Sequence, residues 1–476
     1  MSEEVKILAL DLDGTLLRTD SLWELVCLAL AGGQIFSLLW IVFGRAALKR
    51  RLAKSCSLDL SLLPWNEEVL GLAREAQARG VQVWLATGAD EILARKVAAY
   101  FGFFSGVLAS DGYANLIGAR KAEALTRRFG LRGFAYAGDA RCDLAVWRQA
   151  AAAYVVADGP ALARRAATVC PYVKSLRRSR NERKWHRLFK ALRPHHWVKN
   201  TLLLVAPFLA HDFSPSTLIS CGLGFIIFCL VASAGYLVND LMDLHSDRAH
   251  PEKRHRPFAA GDLPLQYGLF LGAALFAIAF PASLSLGLPF LICVICYVLL
   301  TTAYSFYFKR TLLIDVVSLA FLFMLRIVAG TVAIDAYLSQ WLLCFAFFIF
   351  TALSIAKRVV ELRRLDLKKA KGATRRAYVK SDIAILISFG GGSICCATLT
   401  LALYVGEMRA REFYNNPELL LLFCPPLFLW LARLLILAER GLLRYDPIQF
   451  VLRDRQSLLT LGLGAVIYLF ATHGWL

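Results

Sequence analysis

The first residues that could do chemistry are two carboxylates in the run LALDLDGTL. Asp11 and Asp13 directly follow an apolar strand, and Gly14 permits a tight turn, so both side chains point into one crevice. A carboxylate nucleophile at Asp11 can accept a phosphoryl group as an acyl phosphate, provided that a magnesium ion and nearby donors offset the repulsion between the two anions. Further polar candidates follow in order in LATGAD, ARKAEAL and YAGDARCD: Thr87, Lys121, Asp139 and Asp143.

A second set of carboxylates lies in the run GYLVNDLMDLHSDRAHPEKRHRPFAAG. Asp240, Asp243 and Asp247 are three and four residues apart, so a helix stacks them on one face with Asn239 alongside. Like charges at this spacing repel, so a cation is expected between them, and oxygen ligands suit magnesium with a diphosphate completing its shell. The alternative is a solvated helix end with paired surface charges. The Pro-bounded loop that follows supplies cations able to grip more phosphate: Lys253, Arg254 and Arg256.

Composition indicates a membrane protein with anionic partners. Of the 476 residues, 58% are hydrophobic and 19% are charged, which excludes a disordered chain and is unusual for a soluble one. The net charge of +19 favours phosphates or lipid headgroups as partners. Nucleic acid is not expected, because the cations cluster at the edges of apolar segments and in the loops beside the carboxylates.

A change of composition near residue 195 predicts two parts joined by a linker. Residues 1–173 alternate short β-rich runs with polar helical stretches, the pattern of a soluble α/β domain with a Rossmann-like parallel sheet. Residues 174–194 form a basic linker, for which a helix lying on anionic headgroups is favoured over a solvated connection. Its apolar residues recur at helical spacing: Trp185, Leu188, Phe189 and Leu192. Residues 195–476 are predicted to be an all-α polytopic membrane domain.

The apolar run at 22–43 has the length of a membrane span. A span there would leave the rest of the soluble domain on the other side of the membrane from its first strand. The run is therefore predicted to form helices of a cap that pack on each other or dip into the membrane surface.

The membrane domain is predicted to contain about nine transmembrane helices. Most of the apolar segments have roughly the 17 to 25 residues that cross a bilayer. They lie at 200–212, which is shorter, and at 217–238, 265–284, 288–304, 313–333, 340–356, 381–406, 418–437 and 457–475. With the N-terminal domain in the cytoplasm, the external loops contain only the cations Arg409 and Arg411. This asymmetry predicts a multi-pass protein of a bacterial-type cytoplasmic membrane, with cytoplasmic active sites and an external C-terminus.

The first carboxylates and their followers resemble the haloacid dehalogenase superfamily of phosphohydrolases over residues 5 to 173. The resemblance implies that Asp13 protonates the leaving oxygen and later activates water, and that Thr87 and Lys121 hold the phosphate. Asp139 would bind the metal together with Asp11 and Asp13, with Asp143 supporting it. The insert between 16 and 80 corresponds to the helical cap. The alternatives are a degenerate domain of this fold and residues that merely solvate strand ends.

The second carboxylate set resembles the UbiA superfamily of intramembrane transferases over residues 193 to 476. Its signature N-D-x-x-D-x-x-x-D is present, and further motifs are most similar to the branch that transfers phosphoribose to a polyprenyl phosphate. They are RPHHWVKN, YSFYFKRTLLIDVVSLAFLFMLRIVAG, AKRVVEL and DPIQFVLRDR. The resemblance implies phosphoribosyl pyrophosphate and a polyprenyl phosphate as substrates. Magnesium is expected in both domains, with manganese as the other metal that the sequence allows.

One departure from the pattern of the prenyl diphosphate branch helps to distinguish this sequence from that branch. Where those members carry a second aspartate-rich motif, this sequence offers YSFYFKRTLLID with a single acid, Asp315. Substrates with three anionic groups need more cations, and the pocket candidates are Lys199, Lys253, Arg254, Arg256, Tyr304, Lys309, Arg326, Lys357, Arg358 and Glu361. Arg326 lies within an apolar segment, where a charge costs about 2.5 to 3.5 kcal/mol on insertion scales, so it should face a polar cavity. A structural ion pair is the alternative for Arg326.

The fusion suggests two sequential reactions. The membrane domain would make polyprenyl-phosphoryl-5-phosphoribose, and the phosphatase domain would remove its 5-phosphate. The first alternative is a conventional prenyltransferase that moves a prenyl chain from its diphosphate to an aromatic or other acceptor. The second is a transporter or binding module, which two carboxylate constellations and the lack of internal repeats disfavour. The prenyl chain length and any homo-oligomeric state are left open by the sequence.

Overall fold

The computed structural model describes residues 6–111, 113, 115–177, 184–363, 378–406, 414–443, 450–451 and 453–473. The chain divides into two compact units. The first comprises Met1–Arg193 with Tyr236–Ala273, and the second comprises Pro194–Gly235 with Ala274–Leu476. The first unit therefore contains both carboxylate sets that the sequence singles out.

A six-stranded sheet in the order β3-β2-β1-β4-β5-β6 organises the N-terminal domain, and every neighbouring pair is parallel. The strands are β1 Ile7–Leu10, β2 Gln82–Asp90, β3 Phe104–Ser110, β4 Ala135–Gly138, β5 Ala152–Val156 and β6 Val173–Leu176. Successive residues of β1 face opposite sides, so Leu8 and Leu10 enter one apolar core and Ala9 enters the other. Burial on both faces is typical of parallel sheets. The α/β prediction is confirmed.

Short helices flank this sheet, and those between residues 16 and 80 belong to the predicted cap. The short helices are α1 Ser21–Ala31, α2 Arg45–Ser55, α3 Glu67–Ala78, α4 Glu91–Phe101, α5 Ala119–Phe129, α6 Leu144–Trp147 and α7 Pro160–Ala167. The run at 22–43 is not one helix. It is divided between α1 and a 3-10 helix at Ile35–Phe43, separated by Gly33 with φ +72°. Neither piece has the length of a membrane span, as the cap prediction requires.

The remaining helices are mostly long and apolar. They are α8 Lys184–Leu192, α9 Ala206–Ala210, α10 Pro215–Met242, α11 Leu244–Ala249, α12 Leu265–Leu284, α13 Leu288–Phe306, α14 Ile314–Ala333, α15 Gln340–Arg363, α16 Ile383–Val405, α17 Cys424–Glu439 and α18 Arg455–His473. Eight segments in the described part of the chain are long and apolar enough to cross a membrane. This agrees with a polytopic membrane domain of about nine helices.

The shorter segment at 200–212 differs from the other predicted spans. It is a 3-10 helix at Pro194–Val205 followed by α9, not a continuous α-helix. A 3-10 helix rises about 2.0 Å per residue against 1.5 Å in an α-helix, so 17 residues of this mixed form reach roughly 30 Å. That is about the hydrocarbon thickness of a bilayer.

A buried ion pair ties the cap to the segment that carries the second carboxylate set. Glu24 on α1 is 3% exposed, and the Arg248 guanidinium on α11 donates to both of its oxygens, at 2.7 and 2.9 Å. Thr19 Oγ1 donates to the same carboxylate at 2.5 Å, and Arg248 Nε donates to the Ala259 carbonyl at 3.0 Å. Both charged groups are therefore paired and hydrogen-bonded, as burial requires.

The substitution Arg248→Leu should lower the free energy of unfolding by about 3–5 kcal/mol, because it leaves the Glu24 carboxylate buried without its charged partner. Adding Glu24→Met should recover most of this loss, since an apolar pair carries no desolvation cost. Chemical unfolding of the detergent-solubilised protein measures both.

The control for this pair is Arg95→Leu, which removes an exposed ion pair to Glu91 and should cost under about 1 kcal/mol. A loss from Arg248→Leu no larger than that from Arg95→Leu would contradict the stabilising role of the buried pair.

Candidate active sites

The first site lies at the carboxyl ends of β1 and β4. Asp11 follows β1 directly, and its backbone N–H donates to the Ala137 carbonyl of β4 at 3.0 Å. β2 and β3 lie on one side of β1, and β4 to β6 lie on the other, so a crevice opens where the chain changes direction. Asp11 is buried there, and Lys121 Nζ donates to its Oδ2 at 2.8 Å.

Asp139 and Asp143 stand beside Asp11. One carboxylate oxygen of each of the three lies within 4.8 Å of the others. Asp143 Oδ2 is held by the backbone N–H groups of Asp139 at 3.1 Å and Ala140 at 2.9 Å. A set made only of carboxylate oxygens suits magnesium, so these residues could hold that ion. The structure thus brings together three of the four residues that the sequence proposed as metal ligands of the phosphatase.

The Asp13 side chain, the fourth of these residues, does not join that group. Its Oδ1 accepts the backbone N–H of Ser21 at 2.7 Å, at the beginning of α1. Burial, and then the neighbouring Asp20 carboxylate, raise the pKa of Asp13 to about 7, against the opposing effect of Lys49. A carboxyl group that holds its proton near neutral pH suits the acid and base role that the resemblance implies.

Lys121 supplies a positive charge to this site, and Tyr136 supplies a neutral hydroxyl. Burial would lower the pKa of Lys121, but the carboxylates of Asp11 and Asp143 raise it above its usual value, so the ammonium stays charged. Burial raises the pKa of the Tyr136 hydroxyl, which lies 3.2 Å from both Asp11 Oδ2 and Asp143 Oδ1. The pKa of Asp143 is also raised, first by burial and then by Asp11.

Thr87 and Gly14 show how tightly the crevice is built. Thr87 is fully buried two residues beyond Leu85, which pairs with Leu10 of β1, so it lies at the same edge of the sheet as Asp11. Gly14 has φ +73°, and a Cβ built there would lie 2.2 Å from Asp139 Oδ2. Position 14 is therefore restricted to glycine by both backbone conformation and space.

The second carboxylate set is held by arginines. Asp240 and Asp247 are buried, and Arg256 Nη1 donates to Asp247 Oδ2 at 2.5 Å and to Asp240 Oδ1 at 3.2 Å. Arg193 also donates to Asp240 Oδ1. The two guanidiniums therefore offset the negative charge of Asp240 and Asp247 in this structure.

The helix that was predicted through this set is interrupted at Asp243. α10 ends at Met242 and α11 begins at Leu244, although the Asp243 N–H still donates to the Asn239 carbonyl at 2.9 Å. Three carboxylates converge within 4.8 Å at one place in the described part of the chain, the Asp11 site. Asp240, Asp243 and Asp247 therefore do not share one point as a regular helix face would suggest. Lys253 and Arg254 lie exposed on a 3-10 turn in the following loop.

The second unit gathers four further candidates around Arg358. This residue is buried on α15, and its guanidinium donates to Asp315 on α14, to Tyr304 Oη at 2.8 Å and to Glu361 Oε2 at 2.5 Å. Tyr378 Oη donates to Asp315 Oδ1 at 2.5 Å and accepts the backbone N–H of Leu313 at 2.8 Å. One arginine thereby pairs with two acids within a mostly buried network. Lys309 lies between Tyr304 and Asp315 in the sequence, and Lys357 directly precedes Arg358. Both lysines are half-buried.

Arg326 makes no ion pair within the part of the chain that the structure describes and is bound by neutral groups. Its guanidinium donates to Asn200 Oδ1 at 2.9 Å, to Tyr297 Oη at 2.9 Å and to the Leu322 carbonyl. It lies 4.8 Å from the centroid of the Tyr297 ring, a cation–π distance. Lys199 is nearby in sequence, with Nζ 5.6 Å from the centroid of the Phe323 ring.

Several site residues escaped the sequence reasoning. Arg193 is the first residue of the RPHHWVKN motif, but a cation before a proline gives no signal of its partner. Tyr136 lies within a buried strand, where a tyrosine is normally core. Tyr378 is 63 residues from Asp315, and nothing in the local pattern pairs them. Arg248 is 224 residues from Glu24, and nothing in the local pattern pairs the two.

The chain is similar to several known proteins. Residues 201–444 match the UbiA prenyltransferase family. An uncharacterized protein of Sinorhizobium fredii is 35% identical over 94% of this chain and 87% of its own length. Decaprenyl-phosphate phosphoribosyltransferase of Corynebacterium glutamicum is 44% identical over 213 residues, which cover 42% of this chain and 61% of that protein. A phosphoserine phosphatase structure shares 15% identity over 40% of this chain and 99% of its own, with a TM-score of 0.27.

The fold and sites define a polytopic membrane protein of the transferase class with a parallel α/β domain at its N-terminus. The chain belongs to the UbiA prenyltransferase family.

Gly14→Ala should reduce phosphatase activity by about 100-fold, because the new methyl group displaces the Asp139 carboxylate by the order of 1 Å or more. Hydrolysis of p-nitrophenyl phosphate as a function of magnesium concentration measures this. Gly71→Ala is the matched control, since a Cβ there meets nothing within 4 Å. Equal activity of the two variants would contradict the restriction at position 14.

Arg358→Lys should destabilise the protein by about 2 kcal/mol, because one ammonium cannot replace the fork that binds three side chains. Thermal unfolding in detergent gives the loss. The control is Arg363→Lys on the same helix, whose half-exposed side chain pairs with Glu439 and should tolerate the change. Similar behaviour of both variants would argue against a specific network.

Proposed function

We propose that the membrane domain transfers phosphoribose from phosphoribosyl pyrophosphate to a polyprenyl phosphate, and that the N-terminal domain then hydrolyses the 5-phosphate. The 44% identity to the Corynebacterium decaprenyl-phosphate phosphoribosyltransferase over 213 residues carries the first half. The convergence of Asp11, Asp139 and Asp143 around a buried lysine supports the second half. The products would be polyprenyl-phosphoryl ribose, pyrophosphate and inorganic phosphate.

In the transferase reaction, a lipid phosphate oxygen attacks the anomeric carbon of ribose and the bond to pyrophosphate breaks. A phosphate nucleophile is already ionised, so no strong general base is needed. Asp240, Asp243 and Asp247 would hold magnesium with Asn239 alongside, and the ion would neutralise the charge that develops on the leaving diphosphate. Arg193 and Arg256, which already contact these carboxylates, are placed to bind phosphate oxygens.

The other cations would bind the remaining anionic groups. Arg358 is fixed by Asp315 and Tyr304 in one orientation, which avoids the entropy cost of ordering a flexible side chain. Among the described residues Arg326 has only neutral partners, so its charge is left to attract an anion. The remaining phosphate-binding candidates are Lys199, Lys253, Arg254, Lys309 and Lys357, with Glu361 holding Arg358 from the other side.

In the phosphatase reaction, Asp11 attacks phosphorus and displaces the ribose 5-oxygen, which takes a proton from Asp13. Asp13 then removes a proton from the water that cleaves the aspartyl phosphate, and inorganic phosphate leaves. Lys121 and Thr87 would hold the phosphoryl oxygens, and the carboxylates of Asp139 and Asp143 would hold magnesium with Asp11. The proton lost by Asp13 in the first step is regained in the second, so the enzyme returns to its starting state.

Both active sites would face the cytoplasm. The cations of alternate loops support this orientation. If the mixed helix at 194–210 also crosses the bilayer, nine crossings place the C-terminus outside. Anionic headgroups would bind α8, where Trp185 is 80% exposed and Phe189 is 54% exposed.

A conventional prenyltransferase is less well supported. Such an enzyme needs a second acidic site for the prenyl diphosphate, whereas Asp315 is already bound by Arg358 and Tyr378. Prenyl transfer to an aromatic acceptor is therefore kept as the alternative that the experiment below distinguishes from phosphoribosyl transfer.

Purified protein with magnesium, phosphoribosyl pyrophosphate and a polyprenyl phosphate should yield the ribosyl lipid, detected by mass spectrometry. Asp11→Asn should stop at the phosphoribosyl lipid, because it lacks the phosphatase nucleophile. Asp240→Asn should form neither lipid, because it weakens the binding of the donor diphosphate.

Glu91→Gln, an exposed carboxylate in the same unit, is the control and should behave as wild type. Rapid formation of the ribosyl lipid by Asp11→Asn would overturn the sequential assignment. If the wild-type protein leaves polyprenyl phosphate unchanged, the assignment of phosphoribosyl pyrophosphate as the donor is overturned. Polyprenyl diphosphate with aromatic acceptors would then be tested next.

A further inference from the structure

The 3-10 helix Ile35–Phe43 presents an apolar surface on the cap. Phe36 is 83% exposed, Val42 is 82% exposed and Phe43 is 74% exposed, with Leu39, Trp40 and Ile41 also exposed. Contiguous apolar surface of this kind marks an interaction site. We propose that this surface inserts into the bilayer and brings the phosphatase site to phosphomonoesters that are carried on membrane lipids.

The position of the cap within the first unit supports a bilayer as the occupant. Trp23 on the cap helix α1 makes an edge-to-face contact with Phe270, at 5.9 Å between ring centroids. Phe270 is the sixth residue of α12, a helix long and apolar enough to cross a membrane. Five residues of helical rise place it about 7.5 Å from the beginning of that helix. The cap is thus attached to a membrane span near the depth at which interfacial helices bury their apolar faces.

Charge next to this surface matches a lipid headgroup layer. Residues 25–58 contain five cations and no acid: Arg45, Lys49, Arg50, Arg51 and Lys54. Arg45, Arg51 and Lys54 are exposed on α2, directly after the apolar segment. The Arg51 guanidinium lies 5.6 Å from the centroid of the Trp40 ring, so an aromatic residue and a cation meet at the boundary between the two surfaces. Aromatic and basic residues combined in this way are typical of membrane interfaces.

The same helix connects the apolar surface to the phosphatase site. Lys49 on α2 donates from Nζ to the Gly88 carbonyl at 2.6 Å, and Gly88 follows Thr87 at the edge of the sheet. Insertion of the segment before α2 would therefore set the active-site opening at the membrane surface. The lipid character of the substrate rests on the proposed phosphatase activity, whereas membrane insertion does not.

Photo-crosslinking tests insertion directly. The intact protein, with p-benzoylphenylalanine in place of Val42, is reconstituted in nanodiscs containing phosphatidylglycerol and irradiated. Adducts with lipid, detected by mass spectrometry of the peptide, are expected at position 42. The control replaces Leu131, which is 69% exposed on the α/β domain, and should give no lipid adduct. No lipid adduct at 42 above that at 131, or an adduct with a second protein chain in its place, would overturn insertion.

Kinetics test the substrate class. The double variant Phe36→Asp/Val42→Asp should hydrolyse the soluble p-nitrophenyl phosphate at the wild-type rate. Its hydrolysis of a polyprenyl-phosphoryl-5-phosphoribose in the same nanodiscs should fall at least about tenfold, because the charges oppose burial in the interface. Leu131→Asp should change neither rate. An equal loss on both substrates, or on neither, overturns the role of the surface. Absence of phosphatase activity in the wild type would refute the proposed function alone, because the lipid adduct at position 42 is read independently.

Discussion

Buried negative charge, and the cations that must accompany it, is the constraint on which this structure depends. A carboxylate removed from water costs several kcal/mol unless it is paired and hydrogen-bonded. Each of four buried acidic groups meets this condition with a fixed cation. Lys121 binds Asp11, Arg248 binds Glu24, Arg193 and Arg256 bind Asp240, and Arg358 binds Asp315. The pairs hold elements together and also keep anionic and cationic groups in place for phosphate chemistry.

The two active-site regions use this constraint differently. At Asp11, two further carboxylates converge, and one lysine does not neutralise the whole set, which leaves room for a divalent ion. At Asp240, two guanidiniums already satisfy the carboxylate, so a metal–diphosphate ligand would have to share these acids with arginine. Guanidiniums released from carboxylates are suited to phosphate oxygens, which accept the same paired hydrogen bonds. The diphosphate of the donor substrate can therefore replace the carboxylates as the partner of these guanidiniums.

The composition of the first unit bears on how the two proposed reactions could share one chain. Tyr236–Ala273 packs in the same unit as the α/β domain, and the Glu24–Arg248 pair is one of its buried contacts. Asp240, Asp243 and Asp247 and the predicted cap are therefore parts of one compact unit. A lipid phosphate made at one site would remain in the membrane surface, where a tethered second site meets it at high effective concentration.

Local patterns in the sequence determined the parallel α/β domain, the long apolar helices and several of the residues that meet at the candidate sites. Asp11, Thr87 and Asp139 follow strands that alternate with helices, and parallel strands place such residues at one edge of the sheet. Apolar length predicted the spans, because every backbone group in a bilayer must be satisfied within the segment. The break at Asp243 and the 3-10 form of Pro194–Val205 could not be predicted from these local patterns, since short irregularities depend on the elements that pack against them. Only the tertiary structure decided which charges pair, because Arg248 with Glu24 and Tyr378 with Asp315 are separated by 224 and 63 residues, and residue spacing specifies contacts only within one element.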